Sequence, residues 1–263
     1  MFEVLYDLPT PVVRLIFGIA YAALALIGLA LARRFVLPRM RIKEDDAGFS
    51  GTMVQAVLIF YALMVTLIVV NVWQNYEDVS GIVSREATAI AIVYRDVTGY
   101  PEPTRSQAQT ELREYVEYII KEAWPQQQKG EVPRGGVELI DRLQATLFFF
   151  EPTTEAQKAL HAETLHAFNS MIEARRLRLD SVVGGLPYLL WFAVIFGSVI
   201  SLTSTFFFKV DDARLHGVLV FFLAVFVSLI VNMILAFDRP FRGDLGIEPD
   251  AYQLVYDQLI AKP

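Results

Sequence analysis

Four long apolar runs constrain this chain more than any other feature. They are Val12–Ala32, Thr52–Val72, Leu186–Phe208 and Gly217–Phe237. At ~1.5 Å of rise per residue, about 21 to 23 residues span roughly 30 Å, the thickness of a bilayer's hydrocarbon. No Asp, Glu or Lys interrupts any of them; Arg14 lies near the outer edge of the first. In lipid every backbone polar group needs an internal partner, which a helix supplies without closing a barrel. The pattern therefore predicts four transmembrane helices. The first run is expected to remain as an anchor. Glu3 and Asp7 stand where a signal peptide carries basic residues, and Arg33 and Arg34 follow the small residues Ala30–Ala32.

Charge and cysteine content narrow the function. The net charge of −6 offers no electrostatic support for a nucleic-acid partner. With no cysteine there is no disulfide framework, thiol nucleophile or Cys-ligated metal. Lys and Arg in short loops set orientation. Arg33, Arg34, Arg39, Arg41 and Lys43 crowd the loop after the first run, and Lys209 and Arg214 lie between the third and fourth. Both short loops are expected in the cytoplasm, with the central domain outside.

The organisation expected is residues 1–72 for the first two membrane helices and 73–185 for a polar helical bundle. Residues 186–237 then hold the last two membrane helices, and 238–263 form a tail. The fold class is all-α. Val79, Ile82, Val83, Glu86, Ile90, Val93, Tyr94 and Val97 keep a helical period. The second membrane helix thus continues as a stalk to about Thr98. A second bundle helix starts near Thr104 and is expected to stop at Pro125, with a loop over Gln126–Gly136. A third covers Val137–Phe150. The fourth starts at Thr153 or Thr154, good N-caps, and runs to about Val183.

No catalytic constellation and no cofactor or metal site is apparent, so the chain reads as a non-enzyme. His161 and His166 are five apart, on different faces of one helix. His216 falls at a membrane boundary and reads as interfacial. The informative polar residues lie in the membrane runs. Thr52, Gln55 and Thr66 fall within about 60° of one another on a helical wheel, with Ile59 and Leu63 filling the face between them. Ser198, Ser201 and Thr205 form a second stripe, and Ser228 and Asn232 a third, with Arg239 further along. Each stripe suits either helix–helix hydrogen bonds or a water-filled path. The second helix is the best candidate for a pore, because an apolar belt interrupting a polar face can gate by dewetting. Gly18, Ala22, Ala25 and Gly28 suit the first helix to close packing instead.

Three segments, "WQNYEDVSGIVSREATAIAIVYRDV" (Trp73–Val97), "EARRLRL" (Glu173–Leu179) and "DRPFRGDLGIEPDAY" (Asp238–Tyr252), resemble a family of bacterial membrane proteins described as bestrophin-like. The resemblance covers nearly the whole chain. Bestrophins are pentameric anion channels lined by their second transmembrane helix. The resemblance therefore implies a homo-oligomer, with five subunits as its model, in the bacterial plasma membrane, with lipids and small ions as its other partners. Thr52, Gln55, Ile59, Leu63 and Thr66 would line the pore. The sequence lacks the aromatic cluster of the bestrophin neck, with only Phe60 and Tyr61 nearby. Asp238, Asp244, Glu248 and Asp250 are too scattered for an acidic calcium clasp.

Glu86, Arg95 and Asp96 lie on the stalk, and Arg175, Arg176 and Arg178 on the returning helix. They are expected either to lock the two helices by ion pairs or to form a basic vestibule for anions or lipid head groups. Phe241 is expected at the bilayer edge. An anion-conducting channel is the leading reading. The alternative is a non-conducting sensor or scaffold whose helical domain binds a ligand or protein.

Overall fold

The computed structural model describes Tyr6 and residues 9–39, 44–208, 210 and 212–260, with backbone only for 44–47, 49 and 50. Glu3, Asp7, Arg41, Lys43 and Lys209, which bear on orientation and anchoring, lie outside the described residues. The chain is α-helical, and no strand forms among the described residues. It divides into two compact units, Met1–Gln74 with Gly185–Asp238, and Asn75–Gly184 with Arg239–Pro263.

The first unit holds the four apolar helices. Helix α1 covers Thr10–Leu31 and ends in a π-helical turn over Ala32–Val36. Helix α2, Glu44–Asp96, is unbroken for 53 residues, roughly 80 Å at 1.5 Å per residue. Its residues up to Gln74 belong to the apolar unit and those from Asn75 to the polar one. The third and fourth membrane helices appear further along the chain, as Tyr188–Thr205 and Ala213–Asp238. All four are long and apolar enough to cross a bilayer.

Small residues let these helices approach closely. Ala25 is fully buried, and a Cβ on Gly28 would come within 2.9 Å of the Phe206 ring. His216, expected at an interface, is instead buried in this unit. It lies 3.1 Å from the Thr205 carbonyl and 3.4 Å from Arg33 Nη1. Since Arg33 only donates, His216 Nδ1 accepts, and Nε2 carries the proton given to Thr205.

The polar unit starts at Asn75, within α2. Helix α3 spans Thr104–Tyr118 and passes through a π-helical turn, Ile119–Ala123, into α4, Trp124–Gln128. Pro125 therefore does not stop the chain. The wider turn before it absorbs the missing N–H and the ring, and Pro125 becomes an early residue of the next helix. Helix α5 spans Gly136–Phe148 and α6 Glu155–Ser181. Thr154 caps α6 in a capping box: its hydroxyl accepts from the Gln157 N–H, and the Gln157 side chain accepts from the Thr154 N–H. The third and fourth membrane helices are hereafter α7 and α8.

Residues after α8 pack into the polar unit. Helix α9, Asp250–Val255, and the π-helical turn Tyr256–Ile260 bury Tyr252 and Ile260 in the same core as Leu112, Ile119 and Met171. Phe241, expected at the bilayer edge, is buried in this core, 5.5 Å edge-on from the Trp124 ring. Trp124 Nε1 also donates to the Ile247 carbonyl at 3.2 Å. An aromatic clamp thus holds the tail.

Candidate functional site: one helix face and a buried ion pair

The face of α2 carrying Thr52, Gln55, Ile59, Leu63 and Thr66 is exposed along its length. Ile59 is 51% and Leu63 59% exposed, whereas Val54, Val65, Ile68 and Val72 behind them are buried. The 3.6-residue period therefore turns the candidate stripe away from the subunit's own core. The hydroxyls of Thr52 and Thr66 bond to carbonyls one turn back on the same helix, Gly48 at 3.1 Å and Ala62 at 2.7 Å. That leaves no demand for a partner from a neighbouring helix.

The other two stripes behave differently. Ser198, Ser201, Thr205, Ser228 and Asn232 are all buried inside the apolar unit. Ser198 lies 3.0 Å from the Tyr21 hydroxyl, and Thr205 bonds to its own helix at the Leu202 carbonyl. These stripes serve packing within one subunit. Arg239 does not extend them: its Nη1 donates to the carbonyls of Val183 and Gly184 at 2.8 and 2.7 Å, after the end of α6. Asp238, at the end of α8, accepts from the Leu186 N–H at 2.5 Å, the Tyr6 hydroxyl at 2.6 Å and Trp191 Nε1 at 3.3 Å.

Of the six stalk and returning-helix candidates, the structure brings Glu86 and Arg178 together. Glu86 is 0% and Arg178 2% exposed. Arg178 Nε donates to Glu86 Oε2 at 2.6 Å, and Nη2 to Oε1 at 3.1 Å. Tyr115 donates to Oε1 at 2.7 Å, and Tyr252 to Oε2 at 3.0 Å. Arg178 Nη1 reaches Gln127 Oε1 at 2.8 Å, and its guanidinium lies 6.0 Å from the Trp124 ring centroid. Glu86 thereby accepts four bonds, which fills its carboxylate. A buried pair this well satisfied offsets its desolvation, which an isolated charge does not.

Helical phase decides which arginine is used. Thr164, Ala167, Phe168, Met171, Ala174 and Arg178 form the buried stripe of α6. At ~100° per residue Arg178 falls about 40° from Ala174, and Arg176 about 200° away. Arg176 is accordingly exposed, with Asp180 at 4.0 Å as its ion partner, and is not a partner of Glu86. Arg175 is half-buried beside Gly136. Arg95 is exposed, and makes no ion pair among the described residues. Asp96 lines a groove between α2 and α6 with Glu163; burial, then that neighbouring carboxylate, push its carboxyl up.

Burial first, and then the Glu86 carboxylate, hold the Tyr115 hydroxyl well above the tyrosine range. Tyr252 shifts the same way, through burial, against the opposing pull of Arg178. Arg178 keeps its charge: burial works against it, but Tyr252 and Glu86 outweigh that. Tyr115, Gln127 and Tyr252 escape sequence reasoning. Only Tyr115 leaves a trace there, three residues after Leu112 on the apolar face of α3. Among the described residues no cluster of three metal-binding side chains forms.

One comparison with known proteins adds to this geometry. A family model described as the bestrophin-like domain matches residues 19–252. No curated protein and no solved structure matches the chain.

Proposed function

The chain belongs to the bestrophin-like family, and on that premise we propose that it is a homo-oligomeric ion channel rather than an enzyme. Copies surround an axis, five being the bestrophin number, with the Thr52–Thr66 face of α2 turned inward. The observation that supports this is the exposure of that stripe on a helix whose opposite face is buried in its own subunit. An apolar belt of Ile59 and Leu63 between polar ends is the arrangement of a hydrophobic gate. Gln55 offers amide N–H donors to an anion, the permeant class proposed. The protein is placed in the bacterial plasma membrane, with the short loops in the cytoplasm and the polar unit outside.

Flux through liposomes tests the reading. Ile59→Ser or Leu63→Ser should wet the constriction and raise ion flux at least several-fold. Val57→Ser, on the other side of the helix, should leave it near wild type. If neither the wild type nor either belt variant exceeds empty liposomes, the channel reading fails, and a non-conducting sensor or scaffold takes its place.

A further inference from the structure

A second site lies within the polar unit, remote in character from the α2 stripe. Between α3 and α5 is a cavity of about 340 Å³, within the range of small-molecule pockets. Glu111 lines it and is buried. Its Oε1 accepts from Gln107 Nε2 at 3.2 Å and from the Thr146 hydroxyl at 3.0 Å. Its Oε2, equally buried, has no hydrogen-bond partner among the described residues. A buried carboxylate oxygen left without a donor is costly and calls for an explanation. Its counterpart Glu86 shows the rule, with both oxygens filled.

The walls indicate what completes it. Arg142 lines the same cavity, but its charge is met by Glu114 at 2.7 Å. The acceptor left open in this lining is therefore Glu111 Oε2. Phe149 and Phe150 form the apolar wall. The Phe150 ring stacks on Tyr100, 4.3 Å away. Phe149 is 86% exposed. Aromatic faces attract cations, most strongly where water is displaced. One carboxylate beside two phenyl rings is a poor metal site but suits an organic cation.

We propose that this cavity binds a small primary ammonium ion, whose N–H donates to Glu111 Oε2 and whose alkyl chain lies against Phe149 and Phe150. The site is internal to the polar unit and does not depend on whether the membrane helices conduct. It is the place where a soluble amine acts on the protein.

The test is calorimetry on the full chain in detergent, with n-butylammonium chloride titrated against sodium chloride at equal ionic strength. The wild type should bind n-butylammonium saturably. Tetramethylammonium, which has no N–H, should bind at least ten-fold more weakly. Glu111→Gln keeps the shape and removes the charge, and should weaken n-butylammonium at least ten-fold. Phe149→Ala, at an exposed position, should weaken it several-fold and decides the matter if Glu111→Gln does not fold. No saturable binding to the wild type, equal binding of tetramethylammonium, or unchanged affinity in the folded variants would overturn the proposal.

Discussion

Replacing Arg178 by Met keeps most of the side chain's length and removes its charge. The change strips two of the four donors from Glu86 and the one donor from Gln127 Oε1. Glu86 is left as a carboxylate with 0% exposure and only two tyrosine hydroxyls. Breaking a buried pair in this way costs about 3–5 kcal/mol. For a domain of this size, about 3–5 °C is lost per kcal/mol, so the melting temperature should fall by roughly 10–20 °C. Trp124, beside the guanidinium, reports unfolding through its fluorescence in detergent. Glu86→Leu alone should cost a similar amount, since it leaves the cation unbalanced. The double variant Glu86→Leu with Arg178→Met leaves no bare charge, and should cost about 1–3 kcal/mol less than the two singles together. Arg176→Met, on the exposed face, should change stability by less than about 0.5 kcal/mol. A fall of under about 3 °C for Arg178→Met, or a double variant equal to the sum of its parts, refutes the claim that this pair anchors the unit.

Tyr115 and Tyr252 are raised from the ordinary tyrosine value of 10.0 in the folded state. The stability they contribute is complete below that value and is lost as pH rises through the folded one. Melting temperature should therefore drop between pH about 9 and 11, less steeply in Tyr115→Phe than in the wild type. Asp238→Asn swaps an acceptor for a donor among three donors, and should cost about 1–3 kcal/mol in a detergent melt. Gly28→Val forces the Phe206 ring away from α1, and should lower the melting temperature by several degrees, while an unchanged value would show that the ring yields freely. Sidedness is checked by cysteines at the exposed positions Glu131 and Pro38. An impermeant thiol reagent on intact cells should label the first and not the second, and the reverse pattern overturns the orientation proposed. Gly130, with φ of 78°, is a poor place for the probe because a side chain there strains the backbone.

The length of the apolar runs was enough for α1, the first part of α2, α7 and α8, and periodicity for the stalk, α5 and α6. Periodicity failed at Pro125, where a π-helical turn re-phases the chain, and single-residue rules for proline do not anticipate that. It failed again after α8. Phe241, Ile247 and Tyr252 sit among Pro, Gly and Asp with no period, so nothing local marks them as core. Their burial is set by Trp124, more than a hundred residues earlier. The exposed α2 stripe could be read from the wheel, because its residues share one face of a single continuous helix. The ion pair was half readable. Glu86 stands out on an apolar stripe, and the phase of Arg178 with Ala174 and Met171 singles it out from its neighbours. Glu111 left no such mark, since an acidic residue on a helix is ordinarily solvated.

The Glu86 site also sets a timetable for biosynthesis. Arg178 follows Glu86 by 92 residues and Tyr252 follows it by 166. At ~5–20 residues per second, ribosomes deliver the arginine about 5–18 s after the glutamate, and the tyrosine about 8–33 s after. Both α7 and α8 are made in that interval. A growing chain thus holds its future buried carboxylate in water while two more membrane helices are inserted. The polar unit closes only when its last residues emerge. Chains halted before Phe241 leave the Trp124 clamp open and one donor to Glu86 missing, so such unfinished copies present a ready substrate to quality-control proteases.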